Sequence, residues 1–385
     1  MMLQIDTIFW IFFIIFLFLY PIIYPRVIIS YALMRIESLT SFISSQLNFL
    51  KNEIRKRNPK DIKKIEEILD FFIIQPTSLD PFGIVKKIDY IVKKGEEKIR
   101  SFVNDMFDAE KEAKRNLEVS LQILIELNTL KKVLEHFAQL IKKMRNIQYA
   151  MLVQMYLPLY EKIAKAYSSG CITVLKNSPI GDGIGPLVVS KLITKKDKIH
   201  EEKDCIIVKK RINNKRVILV RAKGPGSRLG RLHEVVENLV KKYKPKKIVT
   251  IDAAAKLEGE KTGSIAKGIG VAIGGLGVEK FNIEEIAVKY GIELEAIVIK
   301  MSAEEAIKPM HPDVFNASQK AVEILKEIIS ESKDPILIIG VGNSAGIYNT
   351  DEENINLEKT IKENWEKYGK EEEKVSWLDK LFGIE

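Results

Sequence analysis

The chain contains few of the residues that usually carry metal or redox chemistry. Its 385 residues include two cysteines, Cys171 and Cys205, and four histidines. Because there is no CxxC pair and no disulfide framework, we expect a reducing compartment. The cysteines and histidines have none of the spacings of a zinc site, so we expect no metal ligands among them. The identity of any cofactor stays unknown at this level.

Motifs for common nucleotide chemistries are also missing. There is no Walker motif, and the glycine-rich stretch Gly263–Gly277 lacks the strand–GxGxxG–helix setting of a dinucleotide site. The net charge of +9 comes mainly from lysines spread over predicted helices, without the aromatic-interleaved basic motif of a nucleic-acid binder. We therefore do not expect ATP hydrolysis, nicotinamide chemistry or a nucleic-acid partner.

An uncharged apolar run lies near the N-terminus. Residues 7–25 carry no charged side chain, and these 19 positions approach the roughly 20 that a helix needs to cross a bilayer. Trp10, Tyr20 and Tyr24 lie towards the ends of the run, where interfacial aromatic residues occur. We therefore expect a membrane anchor over residues 1–30. Pro21 and Pro25 are expected to kink or end the span.

A cleaved signal peptide is the alternative interpretation of this run. It would need a basic residue before the apolar stretch and a small-residue cleavage site after it. Here Asp6 precedes the run, Arg26 and Arg35 follow it, and there is no Ala-x-Ala site. The sequence therefore favours an uncleaved, single-pass protein of the cell membrane. The basic residues on the C-terminal flank predict that the bulk of the chain lies in the cytoplasm.

Residues 31–169 are predicted to be α-helical. Their apolar residues recur at three- and four-residue steps, which is the period of an amphipathic helix. We expect helices over Ile62–Ile74 and Ile84–Met106, and a long segment from about Glu110 to Tyr167 that only Pro158 interrupts. The predicted architecture is a helical hairpin, bundle or coiled coil. Such a region either forms a homo-oligomer at the membrane or packs only on its own chain.

Residues 170–350 alternate short β-branched runs with helical patterns. This alternation predicts an α/β domain of three layers with a mostly parallel sheet. The predicted strands are Cys171–Leu175, Asp204–Arg211, Lys215–Arg221, Lys247–Ile251, Glu293–Ile299 and Pro335–Ile339. The second and third of these should form a hairpin through Ile212-Asn213-Asn214. The predicted helices are Gly185–Ile193, Leu229–Tyr243, Ile283–Tyr290 and Pro312–Ser330.

The remaining residues, 351–385, form a charged tail rich in Glu and Lys. Within it, Ser376–Phe382 is amphipathic and is expected to dock as a short helix. It docks either on the parent domain or on a partner or the membrane. The sequence thus divides into an anchor, a helical region, an α/β domain and a tail.

Glycine-rich turns follow several predicted strands, where ligands bind in α/β sheets. The first turn contains Gly181, Asp182, Gly183 and Gly185; the second contains Gly224, Gly226, Ser227 and Arg228; the third runs from Asp252 to Lys256; the fourth is Gly340–Gly346. Backbone N–H groups with Arg228 and Lys256 nearby would suit a phosphate or a carboxylate. The first, second and fourth turns, each taken alone, also have the glycines that any tight turn needs, whereas the third contains none.

Asp182 and Asp252 are the candidate catalytic pair. If their strands are neighbours, the two carboxylates face each other across one edge of the sheet. They then either share a proton, as acid and base, or bind a cation. The alternative assigns Asp182 to a helix cap and Asp252 to an Asx turn.

The segments Asn177–Pro186 and Ile251–Ala255 resemble the hydrogenase maturation endopeptidases and the spore germination protease group. This resemblance implies a phosphorylase/hydrolase-like three-layer α/β fold with acidic residues in these two turns. In the maturation peptidases the acids bind nickel together with a later histidine. The corresponding stretch Ala272–Gly277 contains no histidine, so the nickel role is not carried over. The whole chain resembles an uncharacterised archaeal family of single-pass membrane proteins.

These observations lead to two main hypotheses about function. The first is a hydrolase-like enzyme, for example a peptidase, with an acidic pocket at Asp182 and Asp252. The second is a non-enzymatic scaffold or sensor that binds a small anionic ligand at the glycine-rich turns. It predicts that Arg228 or Lys256 lines the cleft and that the carboxylates are too exposed for a shifted pKa. A purely structural oligomer built on the helical region is a third hypothesis.

Overall fold

The described residues of the N-terminal half of the chain contain five helices. In the computed structural model, which describes residues 2–61, 63–71, 84–273 and 278–370, they are α1 (Met2–Arg55), α2 (Lys63–Ile68), α3 (Ile84–Met106), α4 (Lys111–Met144) and α5 (Ile147–Leu175). The chain separates into two compact units. The first contains Met1–Lys56, Ile62–Phe71 and Ile123–Ser168, and the second contains Arg57–Asp61, Phe72–Gln122 and Ser169–Glu385.

Helix α1 is the longest element. It continues through Pro21 and Pro25, so these prolines do not end the helix, and the alternative that they kink it stays a prediction. A proline removes one helical hydrogen bond, and a long apolar helix tolerates that loss. The first part of α1 is exposed, from Trp10 at 58% to Tyr24 at 38%, and full burial begins at Ala32. By length and composition, α1 is a candidate membrane span.

Helices α4 and α5 form an antiparallel hairpin. The ring centroids of Phe137 and Tyr160 lie 6.2 Å apart. Nearer the open end of the hairpin, burial and the Glu126 carboxylate raise the pKa of Tyr167. Both contacts join a residue of α4 to a residue of α5, and the later α4 residue meets the earlier α5 residue. The predicted helical hairpin is therefore present.

The turn of this hairpin does not fall at the predicted proline. It falls at Arg145, whose φ of 48° ends α4, and the Asn146 side chain caps α5 by accepting the Tyr149 N–H over 3.0 Å. Pro158 lies inside α5. The prediction that only Pro158 interrupts the segment is wrong because a left-handed residue followed by an asparagine cap reverses the chain without a proline.

The C-terminal end of α5 overturns the first predicted strand. Residues Cys171–Leu175 are helical, although their β-branched side chains favour a strand locally. The Cys171 thiol lies 3.5 Å from the carbonyl oxygen of Ser120 on α4, and the Thr173 hydroxyl donates to the Ser169 carbonyl over 2.6 Å. Packing on α4 therefore decides the conformation. The helix stops before Asn177, which has a φ of 53°.

One seven-stranded mixed sheet organises the second unit. Its strands are β1 (Ile199–Glu202), β2 (Cys205–Ile212), β3 (Lys215–Ala222), β4 (Lys247–Ala255), β5 (Ile265–Ile269), β6 (Glu293–Met301) and β7 (Ile336–Gly340), in the order β1-β2-β3-β7-β4-β6-β5. Parallel pairs join β3 to β7, β7 to β4 and β4 to β6, and the other three pairs are antiparallel. The prediction of a mostly parallel sheet is therefore wrong, because the β2–β3 hairpin, β1 and β5 add antiparallel strands.

Helices cover both faces of this sheet. In chain order they are α6 (Ile184–Ser190), α7 (Leu232–Tyr243), α8 (Val278–Tyr290), α9 (Ala303–Ile307), α10 (Pro312–Glu331) and α11 (Leu357–Asn364). Residues of α6, α10 and α11 share one core with the sheet, and residues of α7 and α8 share the other. Strand side chains alternate between the cores: Ile338 belongs to the first and Ile339 to the second. The α/β layering agrees with the sequence pattern.

Two predicted elements end in different places. Strand β4 runs on to Ala255, so Asp252 lies within the strand, paired with Val298 of β6, and not in a turn after it. The predicted helix Ile62–Ile74 is shorter, since α2 ends at Ile68. Residues 72–74 and the tail segment Ser376–Phe382 lie outside the described residues.

Candidate functional site

The carboxyl ends of β4 and β7 meet the turn before α6. The Val341 N–H donates to the Ile251 carbonyl over 2.8 Å, and the Asn343 N–H donates to Oδ2 of Asp182 over 2.9 Å. Residues 341 and 343 are two positions apart, which is about 7 Å of extended chain at most. The segment after β7 therefore connects the residue before Asp252 to Asp182, and both acids lie at this edge of the sheet.

Asp182 lies in a short 3-10 turn, Gly181–Gly183, between α5 and α6. The turn is fixed by the Gly181 N–H, which donates to the Lys308 carbonyl over 3.1 Å. Asp182 keeps partial solvent exposure. Burial of its carboxyl nevertheless raises the pKa of Asp182, and the N–H from Asn343 offsets only part of this effect. This carboxyl group therefore keeps its proton to a higher pH than a solvated aspartate.

Asp252 is almost completely buried, at 2% exposure. Its Oδ1 accepts the N–H of Ala253 over 2.7 Å. The two acids therefore have different surroundings: one partly exposed with a raised pKa, and one enclosed in the central sheet.

The glycines around Asp182 allow close packing of this protein on itself. At each of them a Cβ would clash with another segment: Gly181 with Glu305, Gly183 with Ile347 and Asn343, and Gly185 with Ile251 and Val341. Gly185 thus lets the start of α6 lie directly on the ends of β4 and β7. The close approach that the sequence predicts is made here by the chain's own backbone.

Helix α4 holds the loop that contains Gly224, Gly226, Ser227 and Arg228. Gly226 donates its N–H to Oε2 of Glu112 over 3.0 Å, and Ser227 donates its N–H to Oδ1 of Asn116 over 2.8 Å. The Arg228 guanidinium, only 4% exposed, binds both oxygens of Glu112 at 2.7 and 3.1 Å. Burial raises the pKa of Glu112, but its bonds to Arg228 and Gly226 outweigh this and lower it. Arg228 is therefore already neutralised by a carboxylate.

Lys256 is paired in the same way. Its Nζ donates to the Thr262 hydroxyl over 2.7 Å and lies 3.1 Å from Oε2 of Glu305. Glu305 also completes a capping box with Ser302 at the start of α9. Both cations that the sequence offers to an anionic ligand thus have carboxylate partners within the chain.

The fourth turn has a feature that sequence reasoning missed. Gly342–Gly346 fits the Gly-x-Ser-x-Gly pattern, in which the serine is an exposed nucleophile on a turn from strand to helix. Here Ser344 is completely buried. Its Oγ lies 2.7 Å from the Gly226 carbonyl and accepts the Arg228 N–H over 3.1 Å. This serine fastens one loop to another and is not placed as a nucleophile.

Other residues near the site were also missed. Asn116 and Asn343 join the loops, and Arg221 is completely buried on β3. Arg221 donates to the carbonyls of Ile347 and Tyr348 at 3.0 and 2.8 Å, and burial lowers its pKa to about 9. An arginine inside the apolar run of β3 was the one sequence signal for this group, since two of its three carbonyl partners lie more than 100 positions away.

We also looked for a cluster of metal-binding side chains around Asp182 and Asp252. Within residues 2–61, 63–71, 84–273 and 278–370, no three histidine, cysteine, aspartate or glutamate side chains cluster as metal ligands would.

Two family models match the chain. The protein of unknown function (DUF1512) N-terminal domain matches residues 6–177, and the domain of unknown function (DUF1512) C-terminal matches residues 180–348. The chain belongs to the DUF1512 family. No curated protein and no solved structure gives a significant match. The resemblances to the maturation peptidases and to an archaeal membrane family therefore stay predictions.

The DUF1512 boundaries divide the candidate site. Asp182, Asp252 and Arg228 lie in the C-terminal DUF1512 domain, whereas Glu112 and Asn116 lie in the N-terminal one. The loop around Arg228 is thus built from both domains.

Proposed function

We propose that this DUF1512 protein is a membrane-anchored enzyme with a hydrolase-like acid–base site formed by Asp182 and Asp252. The observation that carries the proposal is the raised pKa of Asp182 in a partly exposed position, at the sheet edge where strand β4 contains a second, buried acid. Pairs of carboxyl groups with different surroundings supply the acid and the base of many hydrolytic enzymes.

The surroundings assign a role to each acid. Asp182 in its protonated form gives a proton to the leaving group, and Asp252 as a carboxylate takes a proton from the attacking water. Burial raises the pKa of Asp182, which suits this residue to the acid role and leaves Asp252 as the second carboxyl group of the pair for the base role. Peptides are the substrate class that the resemblance to the maturation endopeptidases implies for such a pair.

The alternative, a scaffold or sensor for a small anionic ligand, has less support. It requires Arg228 or Lys256 to face the ligand, and both are paired with glutamates. It also requires exposed carboxylates, and Asp252 is buried. An anion would have to displace a carboxylate of the chain before it could bind either cation.

We also propose that α1 anchors the enzyme in the cell membrane with its bulk in the cytoplasm. The support is the exposed apolar surface of α1 and the basic residues Arg26 and Arg35 that follow the apolar run. A signal sequence is the competing interpretation. The intact mass of the chain extracted from membranes separates the two, because a cleaved chain would lack the apolar run.

An activity screen with matched variants tests the acid–base site. The full chain in detergent is assayed against fluorogenic peptide libraries, aryl esters and phosphoesters, alongside Asp182→Asn, Asp252→Asn and Asp105→Asn. Asp105 is an exposed aspartate of α3 and serves as the control. We expect each site variant to lower kcat/KM by roughly 100- to 10,000-fold while the control is unchanged.

The pH profile gives an independent reading of the same site. Activity should fall as pH rises through the pKa of Asp182, because the general acid is then lost. Wild-type turnover in Asp182→Asn would contradict the proposal. Ligand-induced thermal stabilisation that disappears in Lys256→Met but persists in Asp182→Asn would favour the anion sensor.

A further inference from the structure

The hairpin of α4 and α5 ends in a short basic segment, residues 142–146, which we call the basic tip. Its sequence is Lys142-Lys-Met-Arg-Asn146, and all five side chains are exposed, that of Met144 to 57%. No aspartate or glutamate occurs between Glu135 and Glu161. The basic tip therefore combines three positive charges with an exposed apolar side chain, and its own helices supply no acid close to it.

The three cations of the basic tip lack an acidic partner in the described part of the chain. Earlier on α4, Lys132 pairs with Asp70 at 2.8 Å. Within residues 2–61, 63–71, 84–273 and 278–370, the side chains of Lys142, Lys143 and Arg145 form no ion pair of this kind. Their charge is therefore available to an anionic partner outside the chain.

Contacts at the open end of the hairpin show how it lies along α1. The Arg57 guanidinium, two residues after the end of α1, donates to the carbonyl of Leu175, the last residue of α5, over 2.9 Å. Close to the same end of α1, Lys51 lies 3.7 Å from Glu66 of α2. The C-terminal ends of α1 and α5 therefore lie together.

From this end the hairpin runs back along α1. Residues Met1–Lys56 and Ile123–Ser168 belong to one compact unit. The buried face of α1 extends from Ile54 back to Ala32, which is about 33 Å of helix. The other described helices of this unit are the short α2 and the two arms of the hairpin, so the arms cover most of this face.

The helical rise gives the level of the basic tip along α1. From Leu175 back to Ile147, where α5 begins, there are 28 positions (175 − 147), or about 42 Å of helix. The same 28 positions counted back from Arg57 reach residue 29 of α1 (57 − 28). The basic tip therefore lies beside α1 just after Arg26, where the uncharged run ends.

A bilayer that contains the uncharged run of α1 places its headgroups at this level. The run ends at residue 25, and residue 29 is four positions, about 6 Å, further along the helix. The headgroup layer on each side of a bilayer is about 5–7 Å thick. Anionic lipids of the cytoplasmic leaflet attract clusters of Lys and Arg next to a membrane span. Position and charge thus both point to lipid as the partner.

We propose that the basic tip binds the anionic headgroups of the bilayer that holds α1, with Lys142, Lys143 and Arg145 on lipid phosphates and Met144 at the acyl boundary. The proposal rests on the proposed membrane anchor and is independent of the acid–base site. Packed helices lie about 8–10 Å apart, so the tip adds a second attachment point beside α1. Two points of attachment restrict the tilt of the helical region against the membrane, which one helix alone does not.

Fluorescence quenching in lipid vesicles tests the proposal on the full chain. The two native cysteines are buried, and burial raises the pKa of both thiols to about 12, so they stay unreactive. Met144→Cys is labelled with a nitrobenzoxadiazole dye and reconstituted with lipids that carry a spin-label quencher high on the acyl chain. Leu17→Cys, in the apolar run, and Asn48→Cys, on an exposed part of α1 far from it, are the reference positions.

In vesicles that contain phosphatidylglycerol, the dye should be quenched at positions 17 and 144 but not at position 48. In phosphatidylcholine alone, the quenching at position 144 should be lost and that at position 17 kept, because only the tip needs anionic lipid. Each basic residue at an anionic surface contributes roughly fivefold in binding. Replacing the three cations of the tip by glutamine should therefore lower the ratio of bound to free tip by about 100-fold.

The matched control replaces three exposed lysines of the C-terminal domain by glutamine and should change nothing: Lys320, Lys326 and Lys333. Quenching at position 17 without quenching at position 144 overturns the proposal and leaves the anchor intact, whereas no quenching at position 17 overturns both. Quenching at position 144 that ignores lipid charge also overturns it. So does a dye at position 144 that is shielded from aqueous iodide only at high protein density, because a second copy would then cover the tip.

Discussion

Asn343 donates its backbone N–H to the Asp182 carboxylate over 2.9 Å, although the two residues are 161 positions apart. Gly342, with a φ of 124°, lies directly against the Asp182 backbone carbonyl. The candidate acid is therefore positioned by the loop that follows the last strand of the sheet. Changes in either segment should alter the other.

The raised pKa of Asp182 makes a prediction about stability. Its folded pKa lies above the unfolded value of 3.8, so between the two values the folded chain binds more protons than the unfolded chain. Stability therefore decreases as pH rises through this window. Asp182→Asn removes this dependence and can still accept the Asn343 N–H. We expect its free energy of unfolding, relative to wild type, to increase between pH 4 and pH 7. Urea unfolding at both pH values measures this, and parallel curves for the two proteins would count against it.

Gly185 should tolerate no side chain. Its Cβ position is occupied by the carbonyl oxygens of Ile251 and Val341, and backbone cannot move aside as a flexible side chain can. Overpacking of this kind costs about 1–3 kcal/mol, and we expect Gly185→Ala to lie at the upper end or to prevent folding. Gly268→Ala is the control, because nothing lies within 4 Å of its Cβ position. Equal midpoints of urea unfolding for both variants would show that the contact at Gly185 is not tight.

Glu112→Gln tests the buried ion pair. The substitution keeps the shape of the side chain but removes one of the two carboxylates that pair with Arg228, whose side chain is 2% exposed and whose Nε stays 3.4 Å from Oδ1 of Asp204. Loss of one partner from a buried pair costs about 3–5 kcal/mol. Because the Glu112 side chain is 32% exposed, water replaces part of the interaction, and we expect about 2–3 kcal/mol. Glu97→Gln, which breaks an exposed pair with Lys94, should have little effect. Similar losses in both variants would contradict the assignment.

His233 should make stability depend on pH near neutrality. Burial lowers the pKa of His233, but the Glu279 carboxylate, 2.8 Å from Nδ1, outweighs burial and raises it. Lys93 and Asp89 of α3 also face the ring, with opposite and smaller effects. The stabilisation is complete below the unfolded pKa of about 6.5 and is lost as pH rises through the folded pKa.

Glu279→Gln should therefore weaken the fall in stability between pH 6 and pH 9. The comparison uses chemical denaturation of the wild type, Glu279→Gln and His200→Gln, an exposed histidine of β1. An unchanged pH dependence in Glu279→Gln would mean that another group is responsible.

Elements with a strong local signal could be predicted from the sequence. Asn213 and Asn214 both adopt positive φ, at 49° and 62°, and join β2 to β3 as the hairpin requires. The apolar run Lys247–Ile251 forms most of β4, because apolar residues at successive positions suit a strand that is covered on both faces.

Elements that depend on distant partners could not be predicted. Strand β1 has the sequence Ile-His-Glu-Glu and is a strand because it pairs with β2. Cys171–Leu175 has the composition of a strand but forms a helix because it packs on α4. Local preference is weak compared with tertiary contacts, and it decides only where those contacts are neutral.

In the candidate site, too, local features could be predicted from the sequence and contacts between distant residues could not. Asp182 and Asp252 were recognisable because acids beside glycine or alanine in otherwise apolar surroundings are unusual. The pairing of Arg228 and Lys256 with carboxylates of the chain could not be predicted. Their partners Glu112 and Glu305 lie 116 and 49 positions away in the sequence. Charge pairing over such separations leaves no local pattern.

The place of β7 in the sheet has a consequence for biosynthesis. This strand lies between β3 and β4, yet it is the last of the seven to be translated. Strands β1–β3 on one side and β4–β6 on the other therefore cannot join until β7 has been synthesised. Until then, β3 and β4 each have an unpaired apolar edge. Dependence on a chaperone during translation, and slow refolding after denaturation, are the expected results.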